Sequence, residues 1–222
     1  MIGGMVANNA GGEKSLTYGK TEHYVAHLKA VLADGKEYSL GPLSALELEH
    51  KMVQRDFEGE MYRKLHDVLE DNFDEIIAAK PAVSKNSAGY ALWNVWDRTT
   101  FDITKLFVGS QGTLGFVTEA AFRLVEPSKY SGLLVIILDD LRPLAKLVNT
   151  LLAFRPESFE SYDEYTLKFA LRYVRELFTL MKAKNFFRLA VQFIPDFFAM
   201  LRGGLPKLVL MAEFTGGSAQ EV

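Results

Sequence analysis

Read for its alternation of apolar and polar positions, the chain opens without a clear period. Residues 1–18 are dominated by small side chains, with Gly3, Gly4, Gly11 and Gly12 among them and Gly19 just beyond, and the expectation here is a closely packed loop. Residues 23–33 alternate toward Val25, Leu28, Val31 and Leu32, then meet the turn dipeptide Asp34-Gly35 and a second short run, 36–40; this predicts a β-hairpin. Ser44 followed three residues later by Glu47 has the form of a helix capping box, and a charged, periodically apolar stretch runs from there to Lys80, where Pro81 stops it. That stretch predicts helix in two pieces, broken near 56–59, with Met61, Leu65, Val68, Leu69, Phe73 and Ile76 on its apolar face.

A loop over 82–102 leads to a strand or helix edge at 103–108, a glycine-dense turn, and a strand over 116–125. Beyond Pro127 the pattern predicts a strand at 133–138, a helix at 141–154, a long helix at 162–182, a mixed stretch and a strand at 207–214. The fold class is therefore α+β, with the second part a separate unit built as a sheet with helices on one face.

Composition narrows the chemistry more than it defines it. The 222 residues are 49% hydrophobic and 24% charged with a formal net charge of -3, enough to bury a core and without the basic footprint of a nucleic-acid binder. There is no cysteine, which removes disulfides, thiolate metal sites and a thiol nucleophile. The apolar run at 132–138 ends at Asp139 and Asp140, well short of the ~20 residues a spanning helix needs, and the opening residues lack the charged and apolar regions of a secretory signal. The expected location is cytoplasmic or peripheral to the inner face of the membrane, with no span.

Several motifs are weighed and set aside. His23 and His27 stand four apart, but the alternation around them favours strand over a helical metal site, so no metal is expected. His50 and His66 sit among charged helix residues, as a solvated face would have them. Gly12-Glu13-Lys14-Ser15 matches the end of a phosphate-binding P-loop, yet the glycine required five residues before Gly12 is Ala7. No Gly-x-Gly-x-x-Gly follows a strand, which argues against a nicotinamide site of the Rossmann type. Trp93, Trp96, Asp97 and Arg98 read better as an aromatic insertion than as substrate contacts.

Two glycine-rich segments carry the remaining signal, because glycines let a dinucleotide come close to backbone N–H groups that bind its oxygens. The first is Ile2-Gly3-Gly4-Met5-Val6-Ala7-Asn8-Asn9-Ala10-Gly11-Gly12, followed by Tyr18-Gly19 and Leu32-Ala33-Asp34-Gly35; the second is Gly109-Ser110-Gln111-Gly112-Thr113-Leu114-Gly115. The pair closely resembles the FAD-binding (PCMH-type) vanillyl-alcohol oxidase superfamily, in its D-lactate dehydrogenase, glycolate oxidase flavoprotein and D-2-hydroxyglutarate dehydrogenase branch. There the second phrase has an acid at the position of Gln111. Lys85-Asn86-Ser87-Ala88-Gly89-Tyr90 resembles the same branch's segment near the substrate. The match is good over roughly 1–138 and loose beyond.

The resemblance implies the later part of a PCMH-type FAD-binding domain over 1–128 and the incomplete start of an α+β, ferredoxin-like cap over 129–222. It implies FAD as cofactor, with contacts at Asn8, Asn9, Ala10, Gly11 and at Gln111, Gly112, Thr113, Leu114, Gly115, Phe116 and Val117. Gly3, Gly4 and Gly12 would serve close approach, Tyr18 and Gly19 would shape the loop under the ring, and Lys85, Asn86 and Tyr90 are the substrate-side candidates. It implies a small hydroxylated substrate, a 2-hydroxy acid such as D-lactate or glycolate, oxidised by hydride transfer to flavin and with an external electron acceptor.

Departures qualify this. Where D-2-hydroxyglutarate dehydrogenase places an arginine and a threonine on the substrate carboxylate, this chain has Ser84 and Ala88. The family's first phosphate-binding loop has no counterpart before Ile2, and its catalytic histidines and acids lie past the last residue here, so the catalytic residues are unknown and the chain reads as a fragment needing an N-terminal segment or subunit. A catalytically silent flavin-binding or interaction module is the competing reading. A flavin reductase run by nicotinamide, like the enolpyruvyl reductase of cell-wall synthesis, is a third, and the 109–115 phrase favours the dehydrogenase branch.

Overall fold

The computed structural model describes residues 1–83, 86–174, 176 and 204–222. The chain divides into two compact units: Met1–Gly12 with Gly19–Glu126, and Glu13–Tyr18 with Pro127–Val222.

In the first unit, α1 (Ile2–Ala7) takes the place of the expected opening loop. The small residues pack a short helix rather than a coil: Gly3 lies against Val117, where an added Cβ would stand 3.4 Å from its carbonyl oxygen. The predicted hairpin is present as β1 (Val25–Val31) and β2 (Glu37–Leu40), with Gly35 at φ 76° in the turn. β5 (Phe116–Phe122) completes an antiparallel sheet in the order β2-β1-β5. A register shift against β5 between Val25 and His27 changes the phase of β1, so that Val25, Leu28 and Ala30 all point inward.

β3 (Pro42–Ser44) pairs with β4 (Thr100–Asp102), and Ser44 caps α3 (Ala45–Met52) with both bonds of the capping box formed. The helical stretch runs in three pieces rather than two. Asp56 accepts from the Gly59 N–H at 2.9 Å to start α4 (Phe57–Asp71), and the Asn72 side-chain amide donates to the Val68 carbonyl at 2.8 Å, separating α5 (Phe73–Ala78). Arg63 reaches back to the carbonyls of Met52 and Gln54, covering the end of α3.

The expected apolar face is right at Leu69, fully buried, and at Met61, Leu65, Phe73 and Ile76, which pack against the core half-buried. Val68 instead faces solvent, and Tyr62 takes the central place, its ring 5.8 Å from Phe101. Burial pushes the Tyr62 phenol up, since its charged form has little solvation there. α6 (Thr104–Phe107) closes this core from the other side with Phe107 and Val108.

The tryptophan insertion is structural at Trp96. Its indole donates to Glu70 at 2.8 Å, Arg98 pairs with the same carboxylate at 2.8 Å and lies 4.1 Å from the Phe73 ring centre, and Asp97 organises the turn by accepting from Thr99 and Thr100. The Trp96 and Arg98 donors hold the Glu70 carboxyl below its usual range.

The second unit is an antiparallel sheet in the order β6-β8-β7, from β6 (Tyr130–Leu138), β7 (Ser158–Asp163) and β8 (Leu208–Gly216), with α7 (Leu144–Leu152) and α8 (Glu164–Arg172). β7 was not legible as a strand, and the helix expected from 162 begins at Glu164, where Asp163 accepts from the Thr166 N–H at 2.8 Å; its expected second half falls outside the described residues. The short helix α2 (Ser15–Tyr18) belongs to this unit. Lys14 pairs with the buried Glu157 at 2.9 Å and with Glu213 at 3.3 Å, and the Lys14 ammonium holds the Glu157 carboxyl below its usual range. Among the described residues no helix is long and apolar enough to cross a membrane.

Candidate functional site

The two glycine-rich stretches meet through their backbones. Gly109 donates its N–H to the Val6 carbonyl at 3.0 Å and Gln111 donates to Ala7 at 2.8 Å, while the Gln111 side-chain amide reaches the Asn8 side-chain oxygen at 3.2 Å. β5 begins directly after the second stretch, and α1 packs on β5. Sheet and helix together thus hold the two segments side by side.

The local backbone is unusual where they meet. Asn9 and Gln111, neither of them glycine, have φ of 48° and 56°, in the left-handed region that L side chains rarely adopt. Asn9 is buried, and its side-chain oxygen accepts the Glu22 N–H at 3.0 Å. Gly115 has to be glycine: its φ is 159° and an added Cβ would stand 2.5 Å from the Val31 carbonyl oxygen. At Gly4, Gly12 and Gly112, by contrast, nothing stands within 4 Å of where a Cβ would be, so the backbone is open to approach from outside.

The remaining candidates are distributed as follows. Gly11 and Gly12 are exposed, Ala10 is half-buried and donates its N–H to Met5, Thr113 and Leu114 carry the turn into β5, and Phe116 is exposed beside the half-buried Val117. The Tyr90 hydroxyl and the Thr113 hydroxyl lie 2.7 Å apart, so Tyr90 touches the second glycine phrase. Asn86 lines a neighbouring cavity, and Lys85 lies outside the described residues. Tyr18 ends α2 in the second unit. Gly19, at φ 72°, lets the His23 ring lie against the chain; an added Cβ would be 2.5 Å from it. His23 precedes β1 in a single 3-10 turn while His27 lies within β1, so the two do not form a helical pair.

The cavity beside Asn9 and Gly109 encloses about 420 Å³, a size suited to a small ligand. Lys20, Glu22, His23, Lys80, Asn86 and Lys105 supply its polar wall and Trp93 an aromatic one. Lys20 is buried, bonding the Asn86 carbonyl, with Glu22 at 3.4 Å; Lys105 donates to the Glu22 carbonyl at 2.9 Å. Sequence reading missed Lys20, Glu22 and Lys105. The signal available was Lys20 next to Tyr18-Gly19, but a lysine's burial is a tertiary property.

Residues 1–41 match the family model for the FAD binding domain. The chain is 29% identical over 172 residues to D-2-hydroxyglutarate dehydrogenase of Pseudomonas putida, covering 77% of this chain and 17% of that protein. It is 29% identical over 168 residues to the glycolate oxidase subunit GlcD of Bacillus subtilis, covering 75% and 25%, and 31% identical over 123 residues to D-lactate dehydrogenase of Archaeoglobus fulgidus, covering 55% and 16%. Among solved structures, alkyldihydroxyacetonephosphate synthase has the same fold over 97% of this chain and 28% of its own, with a TM-score of 0.53 at 14% identity. The chain spans about a quarter or less of the length of these relatives. Residues 1–41 are thus similar to an FAD binding domain, and within an α+β fold they stand bonded to the second glycine-rich stretch.

Proposed function

We propose that the chain forms part of an FAD-dependent oxidoreductase that oxidises a small 2-hydroxy acid of the D-lactate or glycolate kind and passes the electrons to an external acceptor. The observation that carries this reading is the direct bonding of 6–8 to 109–111, two segments far apart in sequence that each belong to a glycine-rich stretch.

The residues present fit a dinucleotide. Gly4, Gly12 and Gly112 leave room where side chains would stand, and Asn9 and Gln111 are held in a strained backbone that the surrounding bonds over-determine. Asn8, Asn9, Ala10 and Gly11 on one side, and 111–117 on the other, would hold FAD chiefly through backbone; Gly3 keeps α1 close to β5. When bound, FAD supplies the two-electron acceptor for the hydride leaving the hydroxyl-bearing carbon.

This chain's own part is binding and orientation. The Asn9–Glu22 bond fixes the wall between the glycine stretch and the cavity, and the Tyr90–Thr113 contact ties the substrate-side segment to the second phrase. The domain reading, an FAD-binding part over 1–128 and a cap beginning at 129, remains with this proposal.

The test is the visible absorption spectrum of the purified chain on titration with FAD, followed by a screen of 2-hydroxy acids with a dye acceptor in the full-length protein. Band structure and quenched fluorescence on mixing, with dye reduction by a hydroxy acid, are expected. An unchanged flavin spectrum, or dye reduction absent while NADPH bleaches the flavin, would overturn the reading.

A further inference from the structure

The cavity's charge is lopsided and its one acid is already engaged. Among the described residues three lysines, Lys20, Lys80 and Lys105, line it against a single carboxylate, Glu22. Lys20 is the most deeply placed: it is 8% exposed, and its ammonium is held by the Asn86 carbonyl, by the Ser87 hydroxyl at 3.4 Å and by Glu22 at 3.4 Å. A buried ammonium requires a counter-charge, because desolvation penalises it heavily unless it is paired. Here the counter-charge is a carboxylate that retains partial exposure, with a side chain 21% accessible, at a separation longer than a tight ion pair. Lys105 donates to the carbonyl of the same residue, so both cations converge on Glu22.

We propose that Lys20 is the oxyanion-gripping residue of this cavity and that Glu22 is its displaceable counter-ion. An arriving oxyanion takes the place of the Glu22 carboxylate at the Lys20 ammonium, while the Asn86 carbonyl keeps the ammonium aimed into the cavity. No bond is made or broken in this exchange. Lys20 supplies a positive charge in a chain whose Ser84 and Ala88 carry none. The oxyanion is the substrate's carboxylate or the cofactor's pyrophosphate. Its identification as a carboxylate rests on the hydroxy-acid reading above; the grip itself does not.

Backbone amide shifts of the isotope-labelled full chain at low salt test this without flavin. D-lactate, inorganic pyrophosphate and the neutral lactamide are titrated separately. Saturable shifts at 20–23 and 86–89 with D-lactate make the substrate the source, the same shifts with pyrophosphate alone make it the cofactor, and lactamide leaves them still. Lys20→Met weakens the effective oxyanion roughly tenfold, the loss of one charge-assisted hydrogen bond, while Glu22→Gln tightens it several-fold by removing the competitor. A chain merely damaged by substitution loses affinity in both variants. Shifts absent with both anions, lactamide acting equally, or Glu22→Gln weakening binding would overturn the proposal. Flavin affinity, read separately by absorption, distinguishes failure of this grip from failure of the FAD reading.

Discussion

The side-chain amide of Gln111 donates to the side-chain oxygen of Asn8 at 3.2 Å, while the Gln111 backbone N–H is held by the adjacent Ala7 carbonyl at 2.8 Å. This bond pair joins two glycine-rich stretches into one surface. The Gln111 amide both donates to Asn8 and leaves the surface without a charge at that point.

Asn9 is the residue most exposed to a simple test of this arrangement. Asn9→Ala leaves the Glu22 N–H without its acceptor and keeps a Cβ in the left-handed region, without the Asn side chain that tolerates it. A loss of about 1–3 kcal/mol in urea unfolding of the first unit is expected. Asn9→Gly loses less, because it relieves the backbone while losing the same bond. Equal losses for the two would contradict a strained Asn9.

Gly115→Ala brings a methyl to 2.5 Å from the Val31 carbonyl oxygen and forces a side chain onto φ 159°. The β1–β5 pairing must shift, since the obstacle is backbone. The expected outcome is a stability loss of roughly 2 kcal/mol or more together with loss of FAD affinity. Gly112→Ala, which meets nothing within 4 Å, serves as the comparison: its cost is confined to the strain of φ 77°.

Phe101→Ala empties the centre of the first unit, where the ring lies between Tyr62 at 5.8 Å and Trp96 at 5.9 Å with no exposure. The cost by chemical denaturation is about 3–5 kcal/mol. Because Phe101 takes no part in the bonds that join the two glycine stretches, flavin affinity measured well below the denaturation midpoint stays near that of the parent chain.

Glu157 makes the second unit acid-sensitive. Lys14 lowers its carboxyl pKa in the folded state relative to the unfolded chain, so its stabilisation is full above the unfolded value and is lost as pH falls through the folded one. Thermal unfolding scans should show the midpoint of this unit declining below pH ~4.5 in the parent chain. Lys14→Met lowers the midpoint at neutral pH and flattens that decline. A parallel decline in both proteins would contradict the pairing.

Much of this was legible in the chain. The hairpin around Asp34-Gly35 and the capping box at Ser44 follow from local spacing, where residue chemistry acts on its near neighbours; the two glycine phrases stand out by their resemblance to a flavoprotein family, and their pairing is a long-range contact. What was hidden depends on partners remote in sequence. Ile2–Ala7 looks like loop because its glycines lower helix propensity, and packing on β5 outweighs that. Val68 and Tyr62 exchange their expected exposure because the ring of Phe101, from a distant strand, fixes which side of α4 is inside. The strand Ser158–Asp163 has little β propensity of its own and exists as an edge paired to β8. Lys20, Glu22 and Lys105 are ordinary surface residue types whose convergence on one cavity has no trace in spacing.

The measurement that bears most directly on the central claim is a titration of isotope-labelled chain with FAD, following backbone amides of 8–12 and 109–117 together. If the two stretches form one flavin surface, both sets shift along a single saturation curve with one dissociation constant, and Gln111→Ala weakens both sets equally. Shifts confined to one stretch, or two curves with different constants, would contradict it.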